Sequence, residues 1–534
     1  MKPLWVGAVN IGSRRRHLRV RWAQHTSGEC QRRPRSPARS KHMNDNPKTK
    51  TVPSPERVDD HDVSPAGSYQ LRGRMGTVGL LFTVLAFTAP LGVVFGFVSV
   101  NISFGIGVPI AFIAVAVLMA LFAAGFTAMT KAVPRAGAFY TYIREGLGRP
   151  AGLGGSFLAL VTYGFNVVSC IVVSGISVNN LLRAFATGLD TPWWLWSLIM
   201  FAAAWILSYF SVELSAKVLS VILVIEVTVV SIFDIVMFVN GGPEGNSVEP
   251  WNPANLITPS IGVLLLFSIG VFNGFEATAV YRDEVRKPSV TIPRATFIAV
   301  IFLGVFYAIS AYGLILSAGT SNAVDVAAGD PAAMMPNALI QYLGVWANQI
   351  VSVLIVTSYF ASGLSLQNIL SRYTHSLAVD GIFPRSIAKV HDKHGSPHRA
   401  AVTVGAVLLI VMIVLIAKGG DPNGLYAAAA GVAFYGMLLL LAFTAIAIIV
   451  YFRRNSHGIS FWRTLIAPTV ALIGIGFALI TASFNMELLV TGGPVLLTIL
   501  LLIPYLSIIV GVITAVVLRR RNPDTYQRIG RAVD

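Results

Sequence analysis

Charged side chains are scarce in this sequence. Only 12% of its 534 residues are charged, whereas 55% are hydrophobic, which is too apolar for a protein that must cover a water-exposed surface. It has two cysteines, Cys30 and Cys170, so no disulfide framework is expected. It also lacks a phosphate-binding glycine loop, a nucleophile elbow and a metal-spaced cluster of His and Cys. We therefore expect neither an enzyme nor a cofactor.

Long apolar runs fill most of the chain and predict an all-α polytopic membrane protein. Each run is long enough for a helix of about 20 residues to cross a bilayer. The twelve predicted spans are 78–98, 107–129, 153–180, 193–210, 218–240, 257–280, 296–317, 339–370, 400–417, 424–451, 461–482 and 494–518.

The basic residues follow the pattern of a membrane topology signal. The even-numbered loops hold most of the loop Lys and Arg, whereas the odd-numbered loops offer only Arg183 and Lys418. The positive-inside rule then places both termini in the cytoplasm. The formal net charge of +16 is explained by these loops and by the basic N-terminus, so no nucleic acid partner is expected. The lipid bilayer of the cytoplasmic membrane is the expected environment.

The N-terminal arm, residues 1–75, is predicted to be disordered because it is rich in Arg, Ser, Pro and Asp. It carries sixteen Lys and Arg against six Asp and Glu, a net charge of +10. One interpretation is a cytoplasmic tail that touches anionic lipid; the other, which we favour, is a reading frame extended upstream of a start at Met43. Residues 76–518 form the predicted twelve-helix domain, and 519–534 a cytoplasmic tail.

Two spans contain residues that interrupt a helix. Pro90 and Gly92 fall in the middle of the first span, and Gly270 and Gly274 in the sixth, which also carries the carboxylate of Glu276. Broken helices in two halves of opposite orientation indicate a substrate site at mid-membrane depth. The alternative for the sixth span is a kinked structural helix with close-packed glycines.

Motifs around the sixth span resemble the amino acid–polyamine–organocation permeases. The signature residues there are Gly274, Glu276, Pro293 and Arg294, and the run AVPRAGAFYTYIREGLGRP is similar to the loop between that family's second and third helices. The resemblance covers about 76–518. It implies a leucine-transporter fold with five-plus-five inverted helices, repeat one at 76–240 and repeat two at 255–451, and two extra C-terminal helices at 461–518.

The resemblance and the two breaks together suggest how a zwitterionic amino acid would bind. The first break would offer backbone amides to its carboxylate, and the sixth would offer carbonyls to its ammonium group. This chain departs from the glycine-rich run of many relatives at the first break, which leaves the register there open by a residue or two. Phe272 and Phe275 either line the pocket or serve plain packing. The expected backbone contacts are Ala89, Pro90, Leu91, Gly92 and Val93, with Gly270, Val271 and Asn273.

Glu226 in the fifth span is the proton-coupling candidate, because ionisable residues inside a bilayer are costly and often functional. The resemblance places it where some members carry a coupling lysine; the alternative is a structural hydrogen bond. Asp234, closer to the predicted outer end, suggests a solvated role. Weaker candidates are Ser358, Ser362 and Ser365 for sodium, with close helix packing as the favoured alternative. Asn166 and Tyr435 are candidate pocket polar groups, with ordinary interhelical hydrogen bonding as the favoured account. The segment 391–400, HDKHGSPHRA, is interpreted as a solvated loop rather than a metal site.

The function that these observations predict is secondary active transport of an amino acid, coupled to protons, by alternating access between broken helices 1 and 6. A channel should show a continuous polar path or a charged ring, which two isolated breaks do not provide. The alternative substrate is a polyamine, ethanolamine or another organic amine, or the protein exchanges amino acids. A polyamine has no carboxylate and would need acidic groups inside the membrane, which Glu226 and Glu276 could supply.

Overall fold

A computed structural model of the chain describes residues 75–133, 138–185, 188–189, 191–210, 216–391, 396–455, 458–485 and 493–530. The predicted arm at 1–75 lies outside the described residues except for Met75. Across the described ranges the fold is helical, and the one extended pairing is an isolated bridge between Met75 and Val285.

The helices carry the labels α1 to α19 in chain order. A π-helical turn, Val93–Val98, lies between α2 and α3. The bounds are α1 Thr77–Thr88, α2 Pro90–Gly92, α3 Ser99–Ile102, α4 Val108–Ala132, α5 Ala138–Leu147, α6 Arg149–Ala184, α7 Trp193–Tyr209, α8 Ala216–Asn240, α9 Ile261–Gly270, α10 Ala277–Val280, α11 Pro288–Ala318, α12 Ala323–Gly329, α13 Pro331–Leu343, α14 Val345–Val379, α15 His398–Lys418, α16 Pro422–Arg454, α17 Ala467–Asn485, α18 Gly493–Arg521 and α19 Pro523–Arg528.

Helix ends follow the local chemistry of the sequence. Asp421 caps α16 by accepting a hydrogen bond from the amide of Gly424 at 2.7 Å, and Pro422 follows at the first helical position, where its missing N–H is not needed. Gly419 ends α15 with a φ of 69°, a conformation that glycine adopts without strain. These signals set the turn between α15 and α16.

Ten of the helical segments are long and apolar enough to cross a membrane, counted over the described residues. Two shorter apolar helices, Trp193–Tyr209 and Ile261–Gly270, stand where the sequence predicts the fourth and sixth spans. The eighth predicted span is divided differently, because Gly344 separates α13 from α14. The polytopic helical architecture is confirmed, while the count of twelve spans stays a prediction.

Helix α6 packs against α14, α16 and α18, while α11 packs against α4. Close helix approach depends on small residues, as is common in membrane proteins. At Gly262 of α9, for example, a Cβ would lie 2.2 Å from the carbonyl oxygen of Thr481 in α17. The glycine at this position therefore permits the contact between α9 and α17.

The C-terminal helix α19 docks on the helix ends near α5 and α14. Asp380 accepts hydrogen bonds from the hydroxyl of Tyr140 at 2.6 Å and from the amide of Gly530 at 2.8 Å. Burial raises the pKa of Tyr140 well above its usual value, and the Asp380 carboxylate raises it further, so the hydroxyl stays a donor at neutral pH. Arg149 donates to Gln527 at 2.8 Å. Part of the predicted tail at 519–534 is thus ordered against the bundle.

Candidate transport site

The first helix breaks at Ala89. This residue has φ 46° and ψ 64°, and it is the one non-glycine residue with positive φ in the described part of the chain. Proline disfavours a right-handed helical conformation in the residue before it and suits the first position of the next helix. The sequence places the break near Pro90; the structure places it one residue earlier, with Pro90 opening α2. Backbone strain of this kind is concentrated at functional sites.

Two carbonyl groups beside the first break are bonded to α14. The Phe87 carbonyl accepts a hydrogen bond from the Ser362 hydroxyl at 2.7 Å, and the Gly92 carbonyl accepts one from the Tyr359 hydroxyl at 2.9 Å. A Cβ on Gly92 would lie 2.7 Å from the Tyr359 ring. Helix α14 therefore holds both sides of the break in place.

The amides expected to bind a substrate carboxylate differ in what they contact. The Val93 amide donates to the Ala89 carbonyl at 3.0 Å, so it is used within the chain. The Leu91 amide faces the carboxylate of Glu226. The Gly92 amide lies in the first turn of a helix and has no intrahelical partner. Within the described residues, the Val93 amide thus has a backbone acceptor, the Leu91 amide has a carboxylate nearby, and the Gly92 amide has neither.

The sixth-span break follows the glycine pattern of the sequence. Helix α9 ends at Gly270, α10 begins at Ala277, and Gly274 between them has φ 118°. Glu276 stabilises this turn, since its two carboxylate oxygens accept hydrogen bonds from the Gly274 amide and the Tyr163 hydroxyl, each at 2.8 Å. The structure thus shows two helices joined by a turn, and it also shows the close-packed glycines of the alternative, since a Cβ on Gly270 would lie 2.2 Å from the Phe434 ring.

The turn between α9 and α10 presents unpaired polar atoms. Within the described residues, the carbonyls of Val271, Phe272 and Asn273 accept no backbone hydrogen bond. The Gly270 carbonyl, also expected to be free, accepts from the Asn273 amide at 3.0 Å. The Asn273 side chain is 6% exposed, and neither polar atom of its amide has a partner. Buried polar groups are normally hydrogen-bonded, so these atoms are suited to meet a ligand.

The two breaks lie against each other. A Cβ on Gly274 would be 2.2 Å from Cδ1 of Phe87 and 3.1 Å from Cγ2 of Thr88, the last two residues of α1. The sequence places these breaks more than 170 positions apart, and the fold brings them together as expected for a shared site.

Glu226 lies beside the first break and is 2% exposed. Its Oε2 accepts a hydrogen bond from the Ser358 hydroxyl at 3.2 Å, and its Oε1 has no partner in the described part of the chain. The Tyr307 hydroxyl lies near Glu226 and Thr88. A carboxylate held this way can meet a proton or a cation.

The serines proposed for sodium take different positions. Ser358 donates to Glu226 and Ser362 to the Phe87 carbonyl, and both are buried. Ser365 is half-buried. The first two therefore belong to the surroundings of the first break.

Aromatic rings cover the breaks on two sides. Phe97 of the π-helical turn lies 5.6 Å from Phe267, 5.4 Å from Tyr426 and 5.1 Å from Phe434, measured between ring centroids. Toward α10, Phe275 makes edge contacts with Phe122 and Phe126 at 5.9 and 6.2 Å. Phe272 contacts Tyr307 at 6.3 Å.

One expectation about an acidic residue needs correction, and the other predicted polar residues can be placed. Asp234 was expected to be solvated near a helix end, but it is 3% exposed because α11 covers it. The Tyr435 hydroxyl bonds Ser483 and Tyr505, which is the interhelical hydrogen bonding favoured for it over a pocket role. Asn166 is half-buried, and residues 392–395 of the histidine-containing segment lie outside the described residues.

The remaining signature residues lie in α11, away from the breaks. Pro293 is inside the helix near its start, and Arg294 is exposed. Sequence reasoning missed Tyr163, Tyr307 and Tyr359, which bond or flank the breaks. A polar tip on an aromatic ring within an apolar helix is the signal that could have identified them.

The family model for amino acid permeases matches residues 79–528. The chain belongs to the amino acid permease family. It is a multi-pass membrane transporter, as the resemblance to amino acid–polyamine–organocation permeases indicated.

Relatives of this permease carry amines. The low-affinity putrescine importer of Escherichia coli strain K12 is 25% identical over 366 residues, which cover 66% of this chain and 77% of that protein. The putrescine transporter of Haemophilus influenzae is 25% identical over 311 residues, covering 55% and 67%. The cadaverine/lysine antiporter of Escherichia coli strain K12 is 26% identical over 239 residues, covering 44% and 51%. These relatives fit the alternative substrate class, organic amines, better than the amino acid expected first.

Proposed function

We propose that this permease transports an organic amine, of the diamine class to which putrescine belongs, across the cytoplasmic membrane. The observation that carries the proposal is the Glu226 carboxylate, buried beside the first break with one oxygen unpartnered. An acidic group within a membrane span needs a cationic partner or a proton, and an ammonium group is such a partner.

The polar groups at the two breaks favour an amine over a zwitterion. The Leu91 amide faces Glu226, and the Val93 amide is bonded to Ala89, so the first break has little to offer a substrate carboxylate. The second break presents free carbonyls and the Asn273 side chain, all able to accept from an ammonium group. Acceptors thus outnumber donors around the site.

The aromatic cover is also suited to an amine. Rings attract cations at their faces and pack against alkyl chains. Phe97, Phe267, Tyr426 and Phe434 form one such group beside the breaks. A diamine with an apolar middle and two cationic ends would match both the rings and the acceptors.

Protons are the coupling ion in this proposal, and Glu226 carries them. Protonation would weaken the attraction between Glu226 and the Leu91 amide and remove the negative charge that faces the site, so the substrate and the proton are linked through one group. The alternative ion is sodium, for which the buried hydroxyls of Ser358 and Ser362 near the first break are the candidate ligands.

The transport mechanism would be alternating access around the two breaks. In this topology the ten long helices and the two shorter apolar ones make twelve spans, arranged as a five-plus-five inverted repeat followed by two helices. Both termini lie in the cytoplasm, as the loop charges predict. The ends of α8 and α11 at Asn240 and Ala318 then face outward.

A second candidate function is transport or exchange of an amino acid. The observation that favours it is the Gly92 amide, which has no backbone acceptor within the described residues and could donate to a carboxylate. One relative is a cadaverine/lysine antiporter, whose name joins an amine to an amino acid.

The test is uptake into proteoliposomes that hold the purified full-length protein. Labelled putrescine, cadaverine and a mixture of labelled amino acids are supplied separately, with and without an inward proton gradient at fixed sodium. We expect gradient-stimulated accumulation of the diamines. Accumulation of an amino acid without any diamine uptake would refute the amine proposal and support the second candidate.

A further inference from the structure

Asp234 is a buried carboxylate that the two breaks do not use. It lies in α8 and is 3% exposed. Its Oδ2 accepts a hydrogen bond from the Ser310 hydroxyl at 3.1 Å, and its Oδ1 has no hydrogen-bond partner within the described residues. Leaving a buried polar atom unpaired costs about 1–3 kcal/mol, more for a charged group. Ionisable residues retained in such positions are functional candidates.

Asp234 and Glu226 lie along one contact between helices α8 and α11. Eight residues separate them, which is about 12 Å along a helix axis. Tyr307 of α11 lies near Glu226, and Ser310, one turn later, bonds Asp234. A Cβ on Gly313 would lie 2.7 Å from Asp234 Oδ1. The same stretch of α11 thus follows α8 from one carboxylate to the other.

Each of these two carboxylates has a hydroxyl group of α11 beside it, Ser310 at Asp234 and Tyr307 at Glu226. Ser310 and Tyr307 are three residues apart in α11 and so lie on the same face. A hydroxyl can donate and accept, which lets it pass a proton without a net change. The Tyr307 hydroxyl is fully buried and makes no hydrogen bond in the described part of the chain.

The helices packed against α8 carry other titratable groups. Some of these are hydrogen-bonded to backbone carbonyls, and the others lie at different positions along the helices. The hydroxyls of Tyr312, Tyr342 and Tyr359 bond the carbonyls of Ser247, Ser317 and Gly92. Helices α1 and α2 carry no titratable side chain. The remaining groups on α11 and α14 are Arg294, Arg372, Tyr373 and His375. Among the titratable groups on these helices, the one that the described structure places near Glu226 is Tyr307 of α11.

We propose that Asp234 is the outer station of a proton path that reaches Glu226 through the hydroxyls of Ser310 and Tyr307. A proton taken from the outside by the Asp234 carboxylate would be handed along the hydroxyls, and the Glu226 carboxylate would accept it. Because Gly313 has no side chain, the Asp234 carboxylate fits closely against α11 at this point, beside Ser310. The inference rests on the proposed coupling role of Glu226 and on the proposed orientation.

The test compares the rate and the end point of uptake in proteoliposomes of the full-length protein. In Asp234→Asn we expect the initial rate of gradient-driven diamine accumulation to fall about tenfold or more, because a proton-transfer group is lost. The final accumulation ratio and the exchange of internal for external substrate should match wild type. Asp234→Glu should restore the rate, and Asp325→Asn, which changes an exposed carboxylate in α12, should change nothing.

Gly313→Ala tests the same path while keeping the carboxylate. Its methyl group would press on Oδ1, so it should slow accumulation in the same way even if Asp234→Asn does not fold. An unchanged rate in both variants would overturn the inference, as would a loss of exchange in a folded Asp234→Asn. If Glu226→Gln accumulates substrate as wild type does, the proposed function has failed, not this path alone.

Discussion

The close contact between the two breaks gives a sharp prediction for Gly274→Ala. The residue has φ 118°, a backbone conformation that strains any residue other than glycine by about 1–3 kcal/mol. The new Cβ would also lie 2.2 Å from Cδ1 of Phe87, far inside van der Waals contact. Overpacking of this kind costs about 1–3 kcal/mol. Together the two effects destabilise the junction of the breaks by about 2–6 kcal/mol.

Thermal unfolding of the purified protein in detergent measures this cost. We expect the unfolding midpoint of Gly274→Ala to fall by about 2–5 °C and diamine uptake to be lost. Gly164→Ala is the matched control, since Gly164 lies within α6 and a Cβ there meets nothing within 4 Å. Its midpoint should stay or rise, because alanine favours a helix by about 1 kcal/mol over glycine. If Gly274→Ala keeps the stability and uptake of the control, the inferred contact between the breaks is wrong.

Two further substitutions test the bonds around the site. Tyr163→Phe leaves one oxygen of the buried Glu276 without a donor, so the free energy of unfolding should fall by about 1–3 kcal/mol, measured as a lower unfolding midpoint. An unchanged midpoint would mean that this hydrogen bond does not hold the second break. Asp380→Asn weakens the bonds from Tyr140 and Gly530, so limited trypsin digestion should cut after Arg528, at the end of α19, faster than in wild type. Equal rates would argue against the docked helix.

The sequence predicts the helical architecture and the places of both breaks, because apolar length and the residues Pro90 and Gly274 act locally. It does not predict the left-handed conformation of Ala89, which depends on how α14 holds the carbonyls of Phe87 and Gly92. Local patterns describe which backbone groups are freed, but the partners of those groups come from the tertiary fold.

The surroundings of the acidic residues show the same limit. Ser358 bonds Glu226 from 132 positions away, and Tyr163 bonds Glu276 from 113. The place of Asp234 near a helix end predicts a solvated side chain, yet the Ser310 hydroxyl of α11 donates a hydrogen bond to it. Depth along one helix does not determine burial, because the neighbouring helix does.

The coupling role of Glu226 is tested most directly by proton-driven uptake of labelled putrescine in proteoliposomes, compared between wild type and Glu226→Gln. Glutamine keeps the size of the side chain and an acceptor for the Ser358 bond, but it does not ionise and so cannot take up and release a coupled proton. We expect wild type to accumulate putrescine against its gradient, while Glu226→Gln exchanges putrescine without accumulating it. Equal accumulation by both proteins would contradict the role assigned to Glu226.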